Sequence, residues 1–419
     1  MKVLVLSQFY APEPLPKPHH LAEGLWERGH EVTVVTGFPN YPYGTLYSGY
    51  RMQPWAIETV RGVRVIRLPL YPDHSRSSVR RACNYLSFAV AASTLGLLLC
   101  GKADAMFVFD PPSTIGVAAC LISRVRRVPF VYGITDLWPE SVVAAGMLKS
   151  APAIALVERL ERSVCSCASA VAVASPAMID HLARKGVARE KLHVLTDWAD
   201  ERVYRPVPRD AALAARLGMA GKFNVVFGGQ VGVVQRLDTV IEAAAILRAR
   251  EDIQFIIVGD GVEKARLERE SVGRRLANVR FMDRVPSDEM PRIYALADVA
   301  LVHLSAHPIF RLSVPTKTYA YMGCGTPMLM AVDGVAADLI RESGAGLTCP
   351  PEDPGAMAEA VLRFSRMSRE ARETAGRRGR DLFVRQYARS VVLAQYEALL
   401  DAVAGKKKLT SSASVSAHE

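Results

Sequence analysis

Phe227-Gly228-Gly229-Gln230-Val231-Gly232-Val233-Val234-Gln235-Arg236 follows the short apolar run Asn224–Phe227 and opens a helical pattern. An all-apolar strand that breaks into glycines and then becomes a helix is the signature of a Rossmann-type β–turn–α connection. Glycines there let backbone N–H groups approach a phosphate, and the helix that follows favours negative charge at its start. Arg236 adds a cation that suits a diphosphate.

The same rhythm runs outward in both directions. Downstream, strands are predicted at Gln254–Val258, Val279–Met282, Val299–His303, Met328–Met330 and Gly346–Thr348, with helical patterns such as Leu237–Arg250 and Val262–Ser271 between them. Upstream, strands are predicted at Val3–Leu6, Val32–Thr36, Val63–Leu68, Ala105–Phe109, Phe130–Tyr132, Ala170–Ala174 and His193–Leu195. Helices fall at His19–Arg28, Ser78–Leu99, Ser113–Arg124, Ala151–Cys165 and Pro176–Lys185. Strands apolar throughout and spaced by helices indicate parallel sheets covered on both faces. The 419 residues are too many for one ordinary core. The expected division is a Rossmann-like domain at 1–200 and a second one at 205–388, with Arg205-Pro206-Val207-Pro208 as linker. A helix at 389–404 follows, then a disordered Lys/Ser-rich tail at 405–419. Two doubly wound α/β domains facing each other leave a cleft as the default site.

A net charge of +10 favours anionic partners, phosphorylated small molecules and anionic headgroups ahead of nucleic acid, since no basic–aromatic repeat occurs. The seven cysteines form no CxxC pair, and no metal ligand set or DxD pair is legible, so neither metal nor cofactor is expected. Lys2 leads into a buried strand, not a signal peptide, which points to the cytoplasm. Ala82–Gly101 is uncharged for twenty residues. A buried core helix and an interfacial membrane helix are both open readings, and Arg61, Arg64, Arg67, Arg76, Arg80 and Arg81 ahead of it favour the second. Arg76, Arg80 and Arg81 are the expected membrane-facing residues, at the inner face of the plasma membrane.

Candidate site residues cluster at the carboxyl ends of predicted strands. In Arg311-Leu312-Ser313-Val314-Pro315-Thr316-Lys317, Ser313 and Pro315 read as cap and first turn of a helix through Tyr321, with Arg311 and Lys317 as nearby cations. Val258-Gly259-Asp260-Gly261 closes a strand at the same edge. Gly229, Gln230, Gly232, Arg236, Asp260, Arg311, Pro315, Thr316, Lys317 and Tyr321 are the donor-diphosphate candidates. In the first half, Asp136-Leu137-Trp138-Pro139-Glu140 offers acid, aromatic and acid for sugar recognition or proton transfer. His19 stands at a helix start. Asp136, Glu140 and His19 are the catalytic candidates; Phe38, Asn40, Tyr41 and Trp138 are the acceptor-binding ones.

As a set these words resemble bacterial glycosyltransferases of family 4, which have the GT-B fold. They include Thr36-Gly37-Phe38-Pro39-Asn40-Tyr41-Pro42, Asn84-Tyr85-Leu86-Ser87-Phe88, Asp136-Leu137-Trp138-Pro139-Glu140-Ser141, Val258-Gly259-Asp260-Gly261 and Val314-Pro315-Thr316-Lys317-Thr318. The likeness runs from Ser7 to about Tyr387 and is nearest to the L-fucosamine transferases of O-antigen and capsule synthesis. It implies a nucleoside-diphosphate sugar donor, usually UDP-linked, on the second domain and a polyprenyl-diphosphate sugar acceptor on the first. It also implies retention of anomeric configuration and a C-terminal helix that crosses back to the first domain. The chain departs from that pattern at Ala320, where a glutamate usually meets the ribose. Gln230 stands for asparagine, Arg236 for glycine, and Pro14-Leu15-Pro16-Lys17-Pro18 for flexible glycines. Those departures leave a non-catalytic scaffold and a sugar-nucleotide epimerase as rival readings.

Overall fold

A computed structural model describes residues 1–75, 77–144, 146 and 148–405. Arg76 and the tail from 406 lie outside the described residues. The chain divides into two compact units: Met1–Leu195 with the chain end from Leu393, and Thr196–Val392.

The first unit holds an eight-stranded sheet. Its strands are β1 (Lys2–Leu6), β2 (Glu31–Gly37), β3 (Ala56–Val60), β4 (Val63–Leu68), β5 (Ala105–Asp110), β6 (Phe130–Ile134), β7 (Ala170–Val173) and β8 (Leu192–Val194). They lie in the order β3-β4-β2-β1-β5-β6-β7-β8. All pairs are parallel except the β3–β4 hairpin. β5 and β6 are buried at every position, as a sheet covered on both faces requires. Sequence reading missed β3, an edge strand whose residues alternate between half-buried and exposed.

The second unit holds β9 (Phe223–Gly228), β10 (Ile253–Val258), β11 (Val279–Met282), β12 (Val299–His303), β13 (Met328–Ala331) and β14 (Gly346–Thr348), all parallel. Their order is β11-β10-β9-β12-β13-β14. Apolar clusters lie on the two faces of this sheet, one around Val226, Ile256 and Tyr319, the other around Phe227, Phe255 and Leu329. In each sheet the winding reverses beside the first strand of the unit, between β1 and β5 and between β9 and β12. Open α/β sheets bind ligands outside the carboxyl ends at that point.

Helices start where short polar side chains meet free N–H groups. Ser175 accepts from Met178 N–H at 3.2 Å, Asp210 from Leu213 N–H at 2.9 Å and Asp353 from Ala356 N–H at 2.8 Å. The first helix begins at Pro16, ahead of the predicted His19. Pro16 and Pro18 fill its opening turn, where a missing N–H costs nothing, so half of the proline-rich stretch is helix. The unit boundary falls ahead of the predicted Asp200–Pro208, because Ala199 pairs with Ala388 and Arg389 N–H donates to the Ala199 carbonyl at 3.0 Å. The last helix spans Arg389–Val403. Its second half belongs to the first unit: Tyr396 packs on Phe107 at 5.2 Å, and Glu397 meets His30 at 2.7 Å.

Candidate functional site

In the second unit, the turn after β9 is laced to the turn after β10. Gly229 N–H donates to the Val258 carbonyl at 2.9 Å, and Val231 N–H to the Asp260 carbonyl at 2.8 Å. Gly229 (φ +132°) and Gly259 (φ +150°) occupy backbone open to glycine. A Cβ on Gly259 would collide with the Gly229 carbonyl oxygen, so this approach needs glycine for space as well.

Lys317 reaches into that corner. Its Nζ stands 3.4 Å above the Phe227 ring centre, and a Cβ on Gly229 would come within 3.1 Å of it. The nitrogen is buried and, among the described residues, has no hydrogen-bond partner. Burial alone pushes this amine down to about 7. A buried cation is ordinarily paired or neutralised. Here only a π face is in contact, at the sheet's switch point, where an anion would supply the missing charge.

Around this amine the predicted donor residues separate into three groups. Gln230, Arg236, Asp260, Arg311 and Thr316 are exposed, along with Gly229. Arg236 sits at φ +44°, a left-handed position that glycine fills more readily than a residue with a Cβ. Its guanidinium lies 3.7 Å from the Glu352 carboxylate. Gly232 is buried, and its N–H donates to the Gln235 side chain at 3.1 Å. Tyr321 is an interior pillar: its hydroxyl accepts from Gly228 N–H at 2.9 Å, below the turn, so its predicted contact with the donor is corrected to support of the turn. Ala320 is likewise packed into the apolar core.

The helix predicted from Pro315 spans Lys317–Cys324. Pro315 and Thr316 carbonyls accept from Thr318 and Tyr319 N–H at 2.9 and 3.2 Å, a tighter opening turn, and no side chain caps it. Ser313 therefore does not play the predicted cap role. That turn engages the Thr318 and Tyr319 N–H groups, two of those a helix start otherwise leaves without intrahelical acceptors.

In the first unit the predicted catalytic and acceptor residues part company. Asp136 is exposed. Glu140 is not a free acid. It accepts from His181 and from Lys185, each at 2.9 Å, and Lys185 also holds Glu161 at 2.6 Å. Burial alone would raise Glu140, but the His181 and Lys185 bonds outweigh it and hold the carboxyl near 2. Proton transfer by Glu140 is thereby corrected to a structural ion network. Phe38 and Asn40 are interior: Asn84 Nδ2 donates to Asn40 Oδ1 at 3.2 Å, and Asn40 Nδ2 donates to the Phe38 carbonyl at 2.9 Å. They shape the loop and present no side chain to an acceptor. Tyr41 is half-buried between Phe9 and His74, with ring centres 5.3 and 5.0 Å apart. Trp138 is half-buried, edge-on to Tyr85. His19 packs between Tyr10 and His20.

Sequence reading missed Glu13, whose buried carboxylate gathers the N–H groups of Tyr10, Asn40 and Tyr41 at 2.8–3.0 Å and thereby joins two loops at this edge. It also missed Asp110 at the end of β5, and His303 and Glu352 beside Arg236. Among the described residues no group of three or more His, Cys, Asp or Glu converges as a metal site.

The uncharged segment lies in one helix, Ser78–Leu99, of mean hydropathy 1.6 over its most apolar window. One side is interior, through Asn84, Phe88 and Ala92. The other is exposed: Val79 (73%), Leu86 (55%), Val90 (64%) and Leu98 (70%) recur at helical spacing. A fully buried core helix is therefore excluded. Arg80 is exposed and Arg81 half-buried. Arg67, counted in the same basic group, is wholly interior and bound to Glu58 at 2.6 Å.

Two family profiles match the chain: the glycosyl transferase 4-like domain over residues 17–198 and the glycosyl transferases group 1 domain over residues 222–366. The chain is similar to the probable glycosyltransferase WbjE of Pseudomonas aeruginosa, 29% identical over 62% of this chain and 66% of that protein. It is also similar to the putative colanic acid biosynthesis glycosyl transferase WcaI of Escherichia coli, 29% identical over 72% of this chain and 76% of that protein. Among solved structures, Anabaena HepE in complex with UDP and glucose superposes with a TM-score of 0.72 over 96% of this chain and 99% of that one; at 18% identity this is a likeness of fold. The chain is accordingly a glycosyltransferase of the GT-B fold, with a 4-like domain followed by a group 1 domain.

Proposed function

We propose that the protein moves a hexosyl or amino-hexosyl group from a UDP-linked donor, N-acetyl-fucosamine-like in the first instance, to a lipid-linked or saccharide acceptor, with retention, in surface polysaccharide synthesis. The observation that carries the donor half is the buried, unpartnered Lys317 amine beneath the Gly229 turn. A diphosphate there would meet the Lys317 ammonium and the Arg236 guanidinium, beside a glycine turn whose Gly229, Val231 and Gly232 N–H groups already donate within the chain. These groups are fixed before the sugar leaves, so they stabilise charge as it develops on the leaving diphosphate. The relatives named for glycosyl transfer and colanic acid biosynthesis support the polysaccharide setting, and the UDP in HepE supports the base. A scaffold without donor binding has no use for an unpaired buried cation.

Asp136, Tyr41 and Trp138 are the surviving candidates for contact with the acceptor. For a lipid-linked acceptor, the apolar side of the Ser78–Leu99 helix supplies a membrane face, with Arg80 and Arg81 at its start. At its end, Arg126 donates to the Leu97 and Leu98 carbonyls at 2.7–3.2 Å. That closes the helix's last acceptors and leaves a cation at headgroup depth. The protein would then sit on the cytoplasmic face of the membrane.

Titration calorimetry with UDP, GDP and dTDP tests the donor site, and no heat at millimolar nucleotide overturns it. Mass spectrometry of those nucleotides' sugars with lipid-linked acceptors reads the transfer itself, and the same sugars without acceptor expose an epimerase. Flotation with anionic vesicles tests the membrane face: Leu86→Glu/Val90→Glu is expected to stay in the soluble fraction where the parent floats.

A further inference from the structure

β12 ends in His303, whose ring is wholly interior. Nδ1 lies 2.7 Å from the Gln235 carbonyl oxygen, and Nε2 lies 3.1 Å from the Glu352 backbone N–H. A carbonyl can only accept and an N–H can only donate, so the ring is neutral with its proton on Nδ1. Its two partners are backbone groups of separate loops. Gln235 closes the turn that delivers Arg236; Glu352 lies between β14 and the helix Pro354–Arg366. Arg236 (φ +44°) and Glu352 (φ +56°) both hold left-handed backbone that residues with a Cβ disfavour. The Glu352 carboxylate in turn accepts from Ala306 N–H at 2.9 Å and stands 3.7 Å from the Arg236 guanidinium. His303 is thus the pin through which two disfavoured loops are held together, and neither of its bonds is made by a side chain that could be exchanged.

We propose that His303 is a positioning residue for the donor diphosphate, acting through the Gln235 and Glu352 backbones to fix where the Arg236 guanidinium stands. The proposal rests on the donor-site reading above. The charged groups that face the ring are Glu352, Arg236 and Lys317. Burial lowers the imidazole, Arg236 and Lys317 lower it further, and the Gln235 bond and Glu352 oppose them. Protonation would turn Nε2 into a donor facing the Glu352 N–H and open the pin. Because the folded value lies below the ordinary one of about 6.5, the pin stays closed through neutral pH. Its stabilisation is complete above that range and is lost as the pH falls below it.

The test is a double-mutant cycle on nucleotide affinity, measured by calorimetry with UDP, GDP and dTDP on the full chain. His303→Gln is expected to weaken the best nucleotide about tenfold in the parent and less than about twofold when Arg236 is already alanine, because coupled residues are not additive. An equal loss in both backgrounds overturns the proposal and leaves the donor site standing. A parent chain that binds none of the three overturns the donor site and this proposal together. A second measurement uses the parent alone and does not depend on the variant's folding. Long-range 1H–15N spectra of the imidazoles are expected to show one ring that is neutral, protonated on Nδ1, at pH 7. If His303 carries its proton on Nε2, or is doubly protonated at pH 7, the pin does not exist.

Discussion

Lys185 in the first unit and Lys317 in the second are both amines drawn out of water, and their surroundings are opposite. Lys185 bridges Glu140 at 2.9 Å and Glu161 at 2.6 Å. Burial would lower it, yet the two carboxylates raise it above the ordinary lysine value. Lys317 has a phenyl ring and no carboxylate, and burial carries it down to about 7. A fold that needs a buried charge supplies its counter-charge in the same chain. On the donor reading proposed above, the counter-charge that Lys317 lacks comes from the donor diphosphate. That contrast separates the structural ion network of the first unit from the proposed donor site of the second, and crossed substitutions test it directly.

Lys317→Met should abolish nucleoside-diphosphate binding, by at least about a hundredfold in Kd, a loss of roughly 2.7 kcal/mol or more. The same change should leave the second unit no less stable and raise its melting temperature, because an unsatisfied buried group costs about 1–3 kcal/mol. Lys185→Met should do the reverse. It strands Glu161 and Glu140, with a loss of about 3 kcal/mol in the first unit, while nucleotide affinity at the second unit stays within about twofold, as expected for residues with no shared partner. Calorimetry together with urea melts gives both readouts. Equal damage to stability from the two variants would erase the distinction between the amines.

The contrast sharpens with pH. A phosphate that binds Lys317 favours the ammonium, so binding above about pH 7 must take up a proton, and affinity should fall toward tenfold per pH unit there. Titrations at pH 8 in buffers of different ionisation enthalpy count that proton; a heat independent of buffer would mean that Lys317 does not meet the anion. Glu140, held near 2, contributes nothing to titration in this range.

Most of this architecture was legible in the chain, because wholly apolar runs such as Val3–Leu6, Ala105–Phe109 and Ala170–Ala174 admit one reading. Element ends moved by one to four residues, as at Pro16, where prolines open the first helix, and at Ile246, where the helix predicted to Arg250 stops. The strand Ala56–Val60 escaped because an exposed edge strand carries no apolar run. The second-unit turn was also legible, since glycines and cations are written into it. What the chain did not disclose was depth. Lys317 read as a cation at a helix start, and only the packing of Phe227 beneath it shows that its amine is dry. Glu140 read as a catalytic acid because its partners His181 and Lys185 are more than forty residues away in sequence. Asn40 and Phe38 read as a presented loop, and tertiary bonding to Asn84 turned them inward.

Asp110 offers a third outcome for a buried charge, and the smallest effect. At the end of β5 it is 1% exposed, and neither carboxyl oxygen has a hydrogen bond, although the Ser113 and Tyr132 hydroxyls stand close. No cation faces it. Burial pushes the carboxyl up to about 8, so at neutral pH it is mostly protonated: the charge is neither paired nor kept for a ligand but removed. A raised carboxyl favours the folded state at low pH, and that advantage drains away as the pH climbs from the unfolded value near 4 to the folded value near 8. Asp110→Asn keeps the shape and cannot ionise. The parent should therefore lose stability relative to the variant progressively as the pH rises from 5 to 8. Urea midpoints read by hydrogen exchange of the β5 and β6 peptides measure the difference. If it does not change between the two pH values, Asp110 is charged throughout, and a counter-cation has to reach it that the packing around β5 does not supply.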